Sequence, residues 1–265
     1  MTKIYIDAGH GGNDPGASGN GLREKDLTLT IAKKVQALLK DYATVRMSRT
    51  TDKTLSLTQR TNDANSWGAD YFLSIHINAG GGTGYEDYIY NGSVSNKTVS
   101  TRNTMHAEIT KQISDVRNRG KKTANFAVLR QTSMPAMLSE NLFIDTKADA
   151  DLLKSNAFLN KVAQGHANGI IKAFGLSKTT DPDSDFIWVG TDKKGRRVES
   201  IYRGSEGLNY YDGPRWTNPS GTFGYGQGWK VDNLYRVDGS LMYRVQNSKG
   251  KLYWITASSK YVKVI

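Results

Sequence analysis

The stretch KIYIDAGHGGNDPGASGNGLREKD, residues 3–26, decides the reading of this chain. Ile4-Tyr5-Ile6 is an apolar run that predicts a strand. It passes into Asp7-Ala8-Gly9-His10-Gly11-Gly12, loops through Asn13-Asp14-Pro15-Gly16 and Gly19-Asn20-Gly21, and enters a helix at Arg23-Glu24-Lys25-Asp26. A histidine stands where the strand ends and a glutamate where the helix begins. In an open α/β sheet both side chains can project into one crevice above the strand ends, and two such residues can hold a metal.

Working outward, strand and helix patterns alternate. Residues 24–40 carry Leu27, Ile31, Val35 and Leu38 at helical spacing, with Lys33, Lys34 and Lys40 on the wet side. Thr44-Val45-Arg46-Met47 predicts a short strand, and residues 55–67 a helix with Leu57, Thr61 and Ala64 on one side. Asp70-Tyr71-Phe72-Leu73-Ser74-Ile75-His76 reads as a buried strand ending in a second histidine. Residues 84–90 alternate as a strand, placed at a sheet edge. A helix follows over 97–116, marked by Met105, Ile109, Ile113 and Val116, then a basic loop over 117–122. Residues 127–130 and 135–140 predict two more strands, the second ending in Glu140, before helices over 145–154 and 157–174 that stop at Gly175. This order implies an α/β unit: a twisted, mostly parallel sheet with helices on both faces.

Composition then changes. Residues 176–265 hold 4 of the 5 tryptophans and 8 of the 14 tyrosines. The polar segment 177–185 reads as a linker, and six short aromatic-rich runs between 186 and 265, separated by Gly, Asn, Asp and Pro, imply a small antiparallel all-β barrel. The expected domains are therefore 1–176 and 186–265. The net charge is +11, with 22 basic against 16 acidic residues up to 175 and 14 against 9 beyond. That diffuse field suits any polyanion and selects none. There is no basic helix and no nucleic-acid motif, so a nucleic-acid partner is not expected. With no cysteine, any transition metal must be held by histidine and carboxylate. No apolar run is long enough to span a membrane, and the start shows no signal segment, so synthesis as a soluble cytoplasmic protein is expected.

His10, Glu24 and His76 all fall at the carboxyl edge of the expected sheet. Two imidazoles and a carboxylate suit Zn2+ with a fourth position open to water. Glu140 can reach the same crevice and is the candidate general base. Each residue alone has a plainer reading: a solvated or capping histidine, a glutamate complementing a helix dipole, or a glycine turn cradling phosphate. Gly9-His10-Gly11-Gly12 fits neither phosphate-loop spacing, and four candidates recur at equivalent strand ends. His106 and His166 lie inside expected helices and are assigned to structure or surface.

Over residues 3–175 these pieces resemble the zinc-dependent N-acetylmuramoyl-L-alanine amidases of bacterial cell-wall hydrolases and phage endolysins. The matching segments are Asp7-Ala8-Gly9-His10-Gly11-Gly12, Glu24-Lys25-Asp26, Ser74-Ile75-His76-Ile77-Asn78-Ala79 and Met134-Pro135-Ala136-Met137-Leu138-Ser139-Glu140. The resemblance implies that His10, Glu24 and His76 ligate Zn2+ and that Glu140 is the catalytic glutamate, cutting the amide between N-acetylmuramic acid and L-alanine in peptidoglycan. Ala8, Ile77 and Leu142 stand where that family usually has proline, a smaller residue and glycine. Leu208-Asn209-Tyr210-Tyr211-Asp212-Gly213-Pro214 resembles the opening of SH3-like cell-wall-binding domains, with residues 228–231 and 250–255 similar to their later strands. The expectation is a phage endolysin of a Gram-positive host, acting on the wall after release and attracted to acidic wall polymers. The contrasting reading is a non-catalytic basic protein that binds anionic wall polymer or nucleic acid.

Overall fold

The computed structural model describes residues 1–178, 187–190, 193–213, 216, 218–237 and 239–265. The chain divides into two compact units, Met1–Thr179 and Thr180–Ile265. Most of the expected linker lies outside the described residues.

The first unit runs β1 (Lys3–Ala8), β2 (Ser18–Gly19), β3 (Leu22–Arg23), α1 (Glu24–Leu39), β4 (Thr44–Met47), α2 (Leu57–Trp67), β5 (Tyr71–Asn78), β6 (Tyr85–Tyr90), α3 (Asn96–Gln112), β7 (Asn118–Ala124), α4 (Ala127–Arg130), β8 (Ala136–Phe143), α5 (Lys147–Leu153) and α6 (Asn156–Ala173). Six strands form one sheet in the order β4-β1-β5-β8-β6-β7, parallel throughout except where β6 meets β8. The expected mostly parallel α/β sheet is therefore present. Local signals set the ends of α2. Ser56 and Gln59 close a capping box at its start, and Gly68, in the left-handed region, ends it.

Both faces of the sheet are covered. Ile4, Ile6, Leu73 and Ile75 pack with Ile31 and Val35 of α1, Met105 and Ile109 of α3, and Val162 and Ile170 of α6. On the opposite face Tyr5, Phe72 and Leu138 pack with Ala64, Val128 and Leu129. His166 is fully buried behind the first face. Its Nδ1 donates to the Val162 carbonyl at 2.8 Å and its Nε2 accepts from Ser139 Oγ at 3.0 Å. Burial pushes it down to about 4, so it stays neutral. His106 pairs with Asp87 at 2.5 Å. Both histidines are structural.

Several local expectations are corrected. Residues 118–124 form β7, the sheet edge, so β6 is internal. Lysines and arginine suit an exposed edge strand, which the basic composition disguised as a loop. Residues 127–130 are the short helix α4, not a strand; a four-residue apolar run carries no period to separate the two. β5 and β8 continue beyond His76 and Glu140 to Asn78 and Phe143. On α1 the buried residue is Leu39, with Leu38 at the surface, and on α2 Leu57 is exposed while Arg60 turns inward.

That inward arginine has a defined task. The chain leaving β1 presents the carbonyls of Ala8, Gly9 and His10, which need partners once buried. Arg60 donates from Nη1 to Asp7 Oδ1 at 2.7 Å and to the Ala8 carbonyl at 2.8 Å, and from Nη2 to the His10 carbonyl at 2.7 Å. Arg49 donates to the carbonyls of Ala8, Gly9 and Lys25. Asp7 also accepts from Ser74 Oγ. Burial alone would raise the Asp7 pKa, but Arg60 holds it below the ordinary carboxylate range.

The second unit comprises β9 (Ile187–Trp188), β10 (Arg197–Ser200), β11 (Leu208–Tyr210), β12 (Gly221–Phe223), β13 (Gly228–Val237), β14 (Ser240–Gln246), β15 (Leu252–Thr256) and β16 (Val262–Val264). Its pairings are antiparallel, in the order β15-β14-β13-β10-β16, with β9 on β13 and a separate β11–β12 pair. Val198, Phe223, Val231, Val245, Ile255 and Val262 form its core. Tyr210 contacts Phe223, Trp229 and Tyr253, and Trp229 contacts Phe223 and Tyr253, at 4.5–5.3 Å between ring centroids, which assigns these aromatics to packing. Trp216 and Tyr225 are exposed.

The Asp7–Arg60 pair yields a stability prediction. Arg60→Met leaves Asp7 buried without its cation and lowers unfolding free energy by roughly 3–5 kcal/mol, while adding Asp7→Leu recovers a large part of the loss. Chemical denaturation of both variants checks this; a single variant within about 1 kcal/mol of the parent contradicts it.

Candidate active site

Glu24 is the first residue of α1 and is nearly fully buried. Its Oε1 lies 3.2 Å from His10 Nε2 and 3.0 Å from His76 Nδ1, and accepts from the Ile77 backbone N–H at 3.0 Å. Its Oε2 accepts from Ala17 N–H at 2.9 Å. Two backbone donors and two imidazoles thus fix one carboxylate. The loop after β1, the start of α1 and β5 each deliver one residue to the same point.

Close approach of backbone makes this possible. A Cβ on Gly9 would sit 2.5 Å from the His76 ring, and one on Gly16, at φ +65°, would sit 2.6 Å from Glu24 Oε2. Both positions require glycine. His10 itself adopts φ 60°, an uncommon conformation for a side-chain-bearing residue, held by the Arg60 bond to its carbonyl. Asp14 Oδ2 accepts from His10 Nδ1 at 2.8 Å, which turns Nε2 towards Glu24.

The donor set fits a divalent metal. Three ligand atoms from His10, Glu24 and His76 lie within 4.8 Å of one another. Zinc bonds of ~2.0–2.2 Å in tetrahedral array set ligand atoms roughly 3.4 Å apart, close to the 3.0 and 3.2 Å separations found here. The carboxylates favour the protonated form of the imidazoles beside them. Burial disfavours charge on His10, yet its bonds to Glu24 and Asp14 raise it to about 9. His76 is likewise raised, and Glu24 is held well below the usual carboxylate range despite its burial.

Glu140 sits in the middle of β8, in register with His76 on β5 and Glu86 on β6. Residues facing each other across neighbouring strands share a face, so the three side chains form a row. Oε2 of Glu140 is buried and has no hydrogen-bond partner among the described residues. Burial, tempered by His76, pushes its pKa up to about 7. A carboxyl group in that state can take and return a proton near neutrality.

The structure brings His10, Glu24 and His76 together and sets Glu140 in register beside His76. Asp14, Arg49, Arg60 and Glu86 were not singled out from the sequence. Asp14, four residues after His10, was the only one with a local signal. Leu142, expected in a place where glycine is common, has φ 70° and is fully buried, so a side chain occupies a conformation that favours glycine.

Comparisons with known proteins bear on this site. Residues 4–172 match the N-acetylmuramoyl-L-alanine amidase family. The N-acetylmuramoyl-L-alanine amidase CwlM of Bacillus licheniformis is 54% identical over 221 residues, covering 77% of this chain and 87% of the relative. The endolysin of Bacillus phage SPP1 is 39% identical over 272 aligned residues, covering 100% of this chain and 99% of the relative. The catalytic domain of CwlV, an amidase from Bacillus (Paenibacillus) polymyxa var. colistinus, superposes with a TM-score of 0.63 at 34% identity, covering 67% of this chain and all of that one. A match across most of the first unit, joined to a relative that aligns from end to end, means that the chain belongs to the N-acetylmuramoyl-L-alanine amidase family.

Proposed function

We propose that this peptidoglycan amidase is zinc-dependent, that His10, Glu24 and His76 hold the metal, and that Glu140 is its proton carrier. The observation that carries the reading is the register of His76 with Glu140, which sets an unpartnered buried carboxyl beside the ligand cluster. Family membership supports an enzyme over a non-catalytic binding scaffold.

His10 Nε2, Glu24 Oε1 and His76 Nδ1 would be the ligand atoms, and zinc bound there supplies Lewis-acid chemistry, acidifying water and polarising a carbonyl. Glu140 Oε2 takes the proton of the attacking water as it adds to the lactoyl carbonyl carbon of muramic acid. The same oxygen then delivers that proton to the departing L-alanine nitrogen, and the C–N bond breaks. Asp14 holds the His10 ring in place, and Arg60 and Arg49 fix the loop that carries it.

The second unit is proposed to be an SH3-like wall-binding domain. Its support is the all-antiparallel strand set and the surface aromatics Trp216 and Tyr225, the latter with Arg203 4.5 Å from its ring centroid. Holding the catalytic unit on an insoluble polymer raises the local substrate concentration. The basic character of the whole chain fits acidic wall polymers, and similarity to a phage endolysin supports a lytic role on Gram-positive walls. Among the described residues no helix is long and apolar enough to cross a membrane.

Glu140→Gln is expected to retain zinc at wild-type stoichiometry while kcat falls roughly 100- to 10,000-fold, measured as release of L-alanine amino groups from purified walls. Near-normal turnover would refute its role. Zinc uptake provides an independent check. Ligation needs neutral imidazoles, and with His10 at about 9 in the metal-free protein, binding at neutral pH must expel protons. Calorimetry in buffers of different ionisation heat should report about one proton or more released per zinc, with affinity falling as pH falls. Release of none would place the metal elsewhere.

A further inference from the structure

The row that begins at His76 and Glu140 does not stop at Glu86. Beyond β6 lies β7, where Lys122 pairs in register with Tyr88, which shares the Glu86 face. Glu86 is 2% exposed, and its carboxylate collects two cations. Arg119 Nε donates to Oε2 at 2.6 Å, and Lys122 Nζ donates to the same oxygen. The other oxygen accepts from Asn78 Nδ2 at 2.8 Å and from Tyr88 OH at 2.7 Å. One buried acid therefore anchors two bases, leaving one positive charge in surplus.

Both cations reach solvent, with side chains 24% and 36% exposed. Each is also steadied by an aromatic ring: Arg119 lies 4.8 Å from the Phe143 centroid and Lys122 5.8 Å from that of Tyr88. A fixed, partly desolvated cation pair with donors to spare is suited to a carboxylate. Glu86 alone would need only one of them.

Distance selects which carboxylate. Strands lie about 4.8 Å apart, so β7 is about 10 Å from β8. In the amidase reading the scissile carbonyl lies beside His76 and Glu140, and the stem is taken to run from there across β6 towards β7. An extended peptide advances ~3.3–3.6 Å per residue, so the second residue of the stem lies roughly 7 Å onward, within reach of an arginine or lysine side chain. In peptidoglycan that residue is a glutamate linked onward through its side chain, and its α-carboxyl is either free or amidated.

We propose that Arg119 and Lys122 form a subsite for the free α-carboxylate of the second stem residue, and that they favour stems carrying it over amidated ones. The proposal rests on the amidase reading above.

The test uses the zinc-loaded full chain and two soluble muropeptides that differ only in a free or amidated second-residue α-carboxyl. Wild type should show kcat/KM roughly tenfold or more higher on the free acid, the difference residing in KM. In Lys122→Gln the ratio should collapse towards one, and in Lys122→Arg it should persist. If Lys122→Gln does not fold, raising ionic strength on wild type decides the matter, because KM should rise on the free acid and hold on the amide. Equal kcat/KM on both substrates, an unchanged ratio in folded Lys122→Gln, or equal salt response would overturn the subsite while leaving the amidase reading standing. Cleavage of neither muropeptide would overturn both.

Discussion

The capture of the Ala8, Gly9 and His10 carbonyls by two buried guanidiniums is the constraint on which the rest of the site depends. Sheet pairing stops at the end of β1, and the guanidiniums, with Thr28 Oγ1 on the Gly9 carbonyl, supply the donors these carbonyls need. Arg49 and Arg60 come from separate segments and supply donors from different directions. The bond to the His10 carbonyl holds a left-handed backbone that a free chain would leave. That conformation aims the ring at Glu24, and Gly9 and Gly16 clear the space for it. Asp7 balances Arg60 and is tied through Ser74 to β5, the strand that carries His76.

Carboxylates in similar surroundings are given different states by their neighbours. Glu24 receives two backbone N–H bonds and two imidazoles, so it stays ionised despite burial. Glu86 is held ionised at about 2 by Lys122, Arg119 and Tyr88, against the opposing effect of burial. Glu140, in the row between His76 and Glu86, receives no hydrogen bond on Oε2 among the described residues and is pushed up to about 7 by burial. Two acids are committed to holding charge and one is left able to exchange a proton.

Much of the site is legible in the sequence because His10 and Glu24 flank the glycine-rich loop between β1 and α1, while His76 and Glu140 close short apolar runs, although the strands carrying them continue to Asn78 and Phe143. The α/β order could be read from helical spacing and short apolar runs, and the mixed sheet follows it. The supporting residues were hidden for physical reasons. Arg60 lies on a helix whose pattern pointed to Leu57, and only tertiary contact with Asp7 shows why a charge should face inward. The basic run over 117–122 reads as a loop, since edge strands carry the same charges as loops, and β7 occupies 118–124. Glu86 became informative only through register, because nothing local to residues 84–90 shows that Glu140 and Lys122 lie on neighbouring strands.

Zinc dependence of the cleavage is tested by following free L-alanine amino termini from purified Gram-positive walls before chelation, after chelation, and after Zn2+ is restored. Release is expected to stop with the chelator, to return with zinc, and to produce no new reducing sugar ends. Release that ignores the chelator, or reducing ends without new amino termini, would contradict the zinc amidase reading.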